Sequence, residues 1–156
     1  MVDVKNNYSI DVSLVAGSME DENQSRLHLT KEFIQHGTIT VYSHCFSVAV
    51  MSIRIARFFN INVDEQSLIR GAMLHDYFLY DWHDTNNPAH TWHGFTHPSA
   101  ALRNARQDFD LSAIECDIIE HHMFPLVPYP PKSREAWIVC TADKICALKE
   151  TLFCRK

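Results

Sequence analysis

Residues that break regular structure are scarce: the 156-residue chain has 4 Gly and 6 Pro. Four of those prolines fall within residues 125–131, so most of the chain is free to form long elements. With 46% hydrophobic and 21% charged residues, this composition excludes a fibrous or low-complexity chain and leaves one globular domain able to bury a core. Basic clusters are missing as well. Fourteen Lys and Arg against 19 Asp and Glu give a net charge of −5, with no basic run beyond pairs, which argues against a nucleic acid polymer as partner. No apolar run approaches the roughly 18 residues of a membrane span. The opening MVDVKNNYSIDV lacks a basic stretch followed by an apolar one. These absences predict a cytoplasmic protein with no membrane partner. Five cysteines (Cys45, Cys116, Cys140, Cys146, Cys154) are an odd number without CxxC spacing, and read as reduced thiols packed as small core residues.

What the chain has in excess is histidine: 10 residues, at 28, 36, 44, 75, 83, 90, 93, 97, 121 and 122. Imidazole is the commonest metal ligand and the usual proton carrier near neutral pH, so the question is which of them converge.

Helical periodicity places most of them. Residues 1–21 read as an N-terminal arm with a short extended segment at Tyr8–Val12, and 22–156 as the domain proper. Leu27, Phe33 and Ile34 predict a helix over 22–36, closed by Gly37. Val41, Cys45, Val48, Ser52, Ile55 and Phe59 step by 4, 3, 4, 3 and 4, a buried helical stripe. Asp64 offers an N-cap to a helix running to His75-Asp76, where a polar pair arrives at the end of an apolar face. Residues 81–96 read as a loop rich in His and Trp, of a length that more often serves function than not. Helix resumes at His97-Pro98-Ser99 with proline in the first turn, and again at Ser112, whose Glu115 completes a capping box, ending at His121-His122. Prolines at 125, 128, 130 and 131 force an extended crossover. A last helix over 133–153 is expected to turn Trp137, Cys140, Lys144 or Ile145, and Leu148 inward. The fold class is therefore all-α, a compact bundle of about six helices.

Along this bundle stand His44, His75-Asp76, His97, His121-His122 and Asp143, each in or at the end of an otherwise apolar helix. A lone buried His or Asp must find a partner or bear a desolvation penalty, and one shared metal ion answers several such demands together. Imidazoles and carboxylates arriving from separate helices are how bundles build centres for divalent ions. Each residue also has a plainer reading. His44 could be a hydrogen-bonded core histidine, Asp143 could pair with Lys144, and His97 could cap a helix. His121 or His122 could simply complement the helix dipole. In a regular helix His75 and Asp76 diverge by about 100°, so they address one ion from two sides or let Asp76 bridge two. Of the final pair, His121 is the first choice as ligand, with His122 an additional ligand or a group facing substrate.

The order His44 … His75-Asp76 … Asp143 resembles the defining pattern of the HD-domain metal-dependent phosphohydrolase superfamily, over about residues 38–153. His97 and His121 or His122, lying between the HD pair and the last Asp, resemble the branch with room for two metals. HDYFLYDWH, GFTHP and HHMFPLVPYPPKSREAWIV…ADK are similar to small bacterial members. The resemblance implies an all-helical fold, one or two divalent ions (Fe, Mn, Zn, Co, Ni or Mg) and hydrolysis of a small phosphate ester, a nucleotide or related metabolite. Carried over by position, His44, His75, Asp76 and Asp143 match the ligands of a first metal. Asp76 as bridge, His97 and His121, with His122, match a second. Tyr77-Phe78 stand where Ile-Gly often follows the HD pair, and no lysine comes just after it, which departs from the cyclic-dinucleotide phosphodiesterases of the superfamily. Asp76, His122, His93 and Lys144 are the expected catalytic groups, with Arg103, Lys132 and Arg134 as more distant phosphate contacts. The rival reading is a metal-dependent nucleotide-binding or regulatory protein with little turnover. Partners are then a small phosphorylated substrate and, for assembly, a monomer or a homodimer.

Overall fold

In the computed structural model, residues 4–18, 25–84 and 92–153 are described. The architecture is all-α. Its α-helices are α1 (Val4–Ser18), α2 (Val41–Phe58), α3 (Glu65–Leu74), α4 (His93–Asp108), α5 (Ala113–His121) and α6 (Arg134–Phe153). A 3-10 helix (Arg26–Lys31) and a small antiparallel pair, β1 (Ile34–His36) with β2 (Ile39–Thr40), lie between α1 and α2.

The central helix is α2. Thr40 caps it by accepting from the Ser43 amide at 3.2 Å, and the face carrying Val41, Cys45, Val48, Ala49, Ser52, Ile53 and Ala56 is buried. This face meets α3 and α6, while α5 packs between α3, α4 and α6. Small residues set the spacing. A Cβ at Gly71 of α3 would overlap the Ile118 side chain of α5, so glycine is what lets these two helices approach. The predicted caps at Asp64 and Ser112 are present: Asp64 accepts from the Ser67 amide at 3.0 Å, and Ser112 and Glu115 form both halves of the capping box.

Several expectations are corrected. Residues 4–18 form a helix rather than an extended arm, because Asp11 and Val15, four apart, are both buried and Asp11 pairs with Arg57. The predicted helix over 22–36 is only the 3-10 turn at Arg26–Lys31, and Gly37, at φ 58°, makes the turn between β1 and β2. Helix α4 starts at His93, so Pro98 sits inside it and His97 is not its cap. Packing outweighs the proline's missing donor: the His93 ring stacks between Trp82 and His97. Along α6 the buried face is Ala136, Val139, Cys140, Asp143 and Cys146, whereas Trp137, Ile145 and Leu148 lie on the exposed side. The thiols of Cys45, Cys116, Cys140 and Cys146 are free, as predicted; Cys154 and His90 lie outside the described residues.

Candidate metal centre

Four helices deliver histidines to one buried point. His44 comes from α2, His75 ends α3 with Asp76 just beyond it, His97 lies in the second turn of α4, and His122 follows α5. Asp143 enters from the middle of α6. All of them are buried. Past Asp76 the chain is irregular, with Leu79 at φ 57°, and the Asn104 amide of α4 clamps it by donating to the Tyr77 and Phe78 carbonyls at 3.0 Å each.

The tautomers follow from the partners. His75 Nδ1 faces the Ala72 carbonyl at 2.7 Å, His97 Nδ1 the His93 carbonyl at 2.8 Å, and His122 Nδ1 the Ile119 carbonyl at 2.9 Å. His44 Nδ1 meets the Glu150 carboxylate at 2.8 Å. Carbonyls and carboxylates only accept, so in all four rings Nδ1 carries the hydrogen and Nε2 is turned inward. The inward atoms form two groups that could hold a cation, His44–His75–Asp143 and His75–Asp76–His122. In the first, His44 Nε2 is 3.0 Å and His75 Nε2 3.8 Å from Asp143 Oδ1. In the second, Asp76 Oδ1 lies 3.5 Å from His122 Nε2 and 3.2 Å from His97 Nε2. Asp76 Oδ2 is 3.6 Å from His75 Nε2, so the carboxylate spans both groups.

These separations are those of ligand edges around an ion with bonds of about 2.0–2.2 Å. Two observations say that the residues fit one. His75 Nε2 and Asp76 Oδ1 are buried with no hydrogen-bond partner among the described residues, and such orphans are rare without a reason. The Nε2 atoms of His97 and His122 meet at 2.8 Å, a contact that needs a proton or a cation between the two lone pairs.

Charge is arranged accordingly. Burial penalises ionisation of Asp76 and Asp143, yet His75 beside the first and the hydrogen bond from His44 to the second hold both well below the usual carboxylate range. Burial also opposes charge on His44, but its bonds to Asp143 and Glu150 push its pKa up to about 10, and Asp76 raises that of His75. His122 is pushed down by burial. Anionic carboxylates facing imidazoles that must give up their shared protons are the groups a divalent cation displaces protons from.

The sequence profile of the HD domain family matches residues 41–148, more than half of the chain. The chain belongs to the HD domain family. Members of that family are typically metal-dependent hydrolases, and divalent-ion binding is what the family implies here. No curated protein and no solved structure matches the sequence.

Within this HD domain the predicted residues separate. His44, His75, Asp76, His97, His122 and Asp143 come together. His121 does not: its Nδ1 is held by the Asp117 carboxylate at 2.8 Å and its Nε2 looks toward Glu120 at 3.9 Å. One further step around the chain is what turns His122 inward in its place. Lys144 is not paired with Asp143; its ammonium donates to the carbonyls of His122 and Cys140 at 3.0 and 3.2 Å. His93 stacks on His97 with ring centroids 4.6 Å apart and holds the Tyr80 hydroxyl at Nδ1, 2.9 Å away. Burial and the neighbouring His97 lower its pKa to about 4. Lys144, His93, His97, His122, Asp76 and Asp143 all line one cavity of about 520 Å³, with Trp82, Trp92 and Phe95 among its walls. Arg103, Lys132 and Arg134 do not line it. Two polar contributors were not foreseen. Glu150 stands seven residues after Asp143, on the same face of α6, a spacing that could have revealed it. Gln35 lies in β1, where nothing in the sequence marks it.

Proposed function

We propose that this HD domain hydrolyses a small phosphate ester of nucleotide size, with divalent cations at the His44–His75–Asp143 and Asp76–His97–His122 groups. The observation that carries the reading is the inward set of Nε2 atoms around the orphaned Asp76 Oδ1, opening on the cavity. A bound divalent cation lowers the pKa of water toward neutrality and neutralises charge on phosphoryl oxygens. The chain's own groups do the rest. Lys144, fixed by two carbonyls at the cavity wall, is the one lysine or arginine among the lining residues and is placed to contact a phosphate. His93, neutral at physiological pH, presents a ring whose Nδ1 is held by the Tyr80 hydroxyl, leaving Nε2–H to hydrogen-bond an ester oxygen. Trp82, Trp92 and Phe95 offer stacking faces for an apolar or aromatic organic group. A single lining cation and a net charge of −5 favour one phosphate group over a polyphosphate or a nucleic acid.

The test is phosphate release from nucleoside monophosphates, aryl phosphomonoesters and aryl phosphodiesters by purified protein reconstituted with Mn, Co, Fe, Ni, Zn or Mg. Turnover that vanishes on chelation and returns with metal is the expected result. Protein that takes up metal, is stabilised by a nucleotide and releases no product with any ion would show a binding protein instead.

A further inference from the structure

Gln35 lies six residues before the region matched by the HD family, yet its side chain reaches the centre of the site. It stands in β1, the strand that with β2 leads into α2, and is 8% exposed. Its Nε2 donates to Asp76 Oδ2 at 2.7 Å. Because a carboxylate only accepts, the amide must turn its nitrogen to Asp76, and the orientation of the group is settled by chemistry. The carbonyl Oε1 is then buried with no partner among the described residues, while the side chain lines the cavity. A purely structural glutamine buried to this extent would bond at both ends; this one keeps an acceptor in reserve beside the site.

The consequence falls on Asp76. Its Oδ2 is engaged by Gln35 on the side of His75, which leaves Oδ1 turned to His97 and His122. We propose that Gln35 is a positioning residue of the metal centre: it locks the Asp76 carboxylate so that Oδ1 serves the His97–His122 side, and cation affinity there depends on it. This inference rests on the proposed metal reading. The other group, His44, His75 and Asp143, has no hydrogen bond to Gln35 and meets it only through Asp76 Oδ2, so its affinity is expected to depend less on the strand.

The experiment is cobalt titration of the metal-free protein, followed by calorimetry and by the visible absorption of bound Co(II), which reports ligand geometry directly. Gln35→Met keeps the length of the side chain and removes both polar atoms. Gln35→Asn keeps the amide but is one methylene too short to reach Asp76, and as a small polar residue it leaves the strand intact should methionine disturb folding. Both variants are expected to weaken the equivalent held on the His97–His122 side, the one that His122→Ala abolishes, by about 10–100-fold, and to change its absorption band. An equivalent held by His44, His75 and Asp143 is expected to weaken by less when two bind. Folded variants that bind cobalt with wild-type affinity and spectrum would overturn the role of Gln35 alone. Wild-type protein that binds no cobalt would overturn both this inference and the metal reading beneath it.

Discussion

His121 and His122 are neighbours in the chain and belong to opposite kinds of cluster. Around His121 the demands of Asp117 close on themselves. Asp117 accepts from His121 Nδ1, from the amides of Lys132 and Ser133 and from the Ser133 hydroxyl, at 2.7 to 3.2 Å, and so ties the end of α5 to the start of α6. Around His122 the demands stay open: two Nε2 atoms face each other at 2.8 Å, and Asp76 Oδ1 and His75 Nε2 are buried with no partner among the described residues. Burial alone does not separate them, since both histidines are almost wholly enclosed, 6% and 1% exposed. Satisfaction does. A closed buried network serves the fold, and one left open on a cavity serves a ligand.

The comparison can be broken first at its centre. Asp76→Ala removes the carboxylate that spans both groups, and turnover is expected to fall by more than the roughly 10–100-fold typical of residues that only support a ligand. Bound metal, measured by elemental analysis, should drop with it; an Asp76→Ala protein with full metal content and activity would reverse the assignment. The neighbouring histidines sharpen it next. His122→Ala should abolish tight binding at the Asp76–His97 side while leaving the fold, whereas His121→Ala should keep metal and activity and lower stability by about 1 kcal/mol. An inverted outcome in calorimetric metal titrations would exchange their roles.

On the closed side, Asp117→Ala orphans several donors and is expected to cost about 3 kcal/mol in urea unfolding, with metal affinity little changed. Burial opposes ionisation of Asp117, but the Ser133 amide and hydroxyl hold its pKa below the ordinary carboxylate value. A carboxyl lowered on folding contributes stability above its unfolded pKa, near 3.9, and loses it as pH falls through the folded value. Stability of the wild type should therefore decline more steeply below about pH 4 than that of Asp117→Ala. The smallest effect belongs to the surface. Asp108 accepts from Tyr77 at 2.7 Å and from Arg26 at 2.9 Å, and Asp108→Asn should cost at most about 1 kcal/mol after solvent screening.

Much of this was legible in the residues, for stated reasons. The stripe from Val41 as far as Ser52, the Asp64 cap and the Ser112–Glu115 box are local signals, and local geometry obeyed them, whereas Phe59, the last member of the expected stripe, caps α2 and is exposed. The candidate ligands His44, His75, Asp76, His97 and Asp143 were marked by polarity inside apolar helices. What failed depended on tertiary contact. Periodicity could not tell that Asp11 and Val15 would find a groove, nor that ring stacking would carry α4 four residues upstream of His97. The choice between His121 and His122 turns on where α5 ends, a boundary uncertain by a residue or two, and one residue is about 100° of rotation. Gln35 was invisible because a strand glutamine has no distinctive neighbours in sequence.

The close contact at Gly71 reaches further than packing. His75 closes the helix that carries Gly71, and His122 follows the helix that carries Ile118, while each ring is tethered to a carbonyl of its own helix. The gap between imidazoles is therefore an extension of the gap between backbones, and with an ion bound the interhelical fit would act as a caliper for its radius. Widening it with Gly71→Ala should shift preference among ions toward the larger ones, so that a core methyl whose nearest atoms belong to Ile118 would retune the selectivity of the candidate centre.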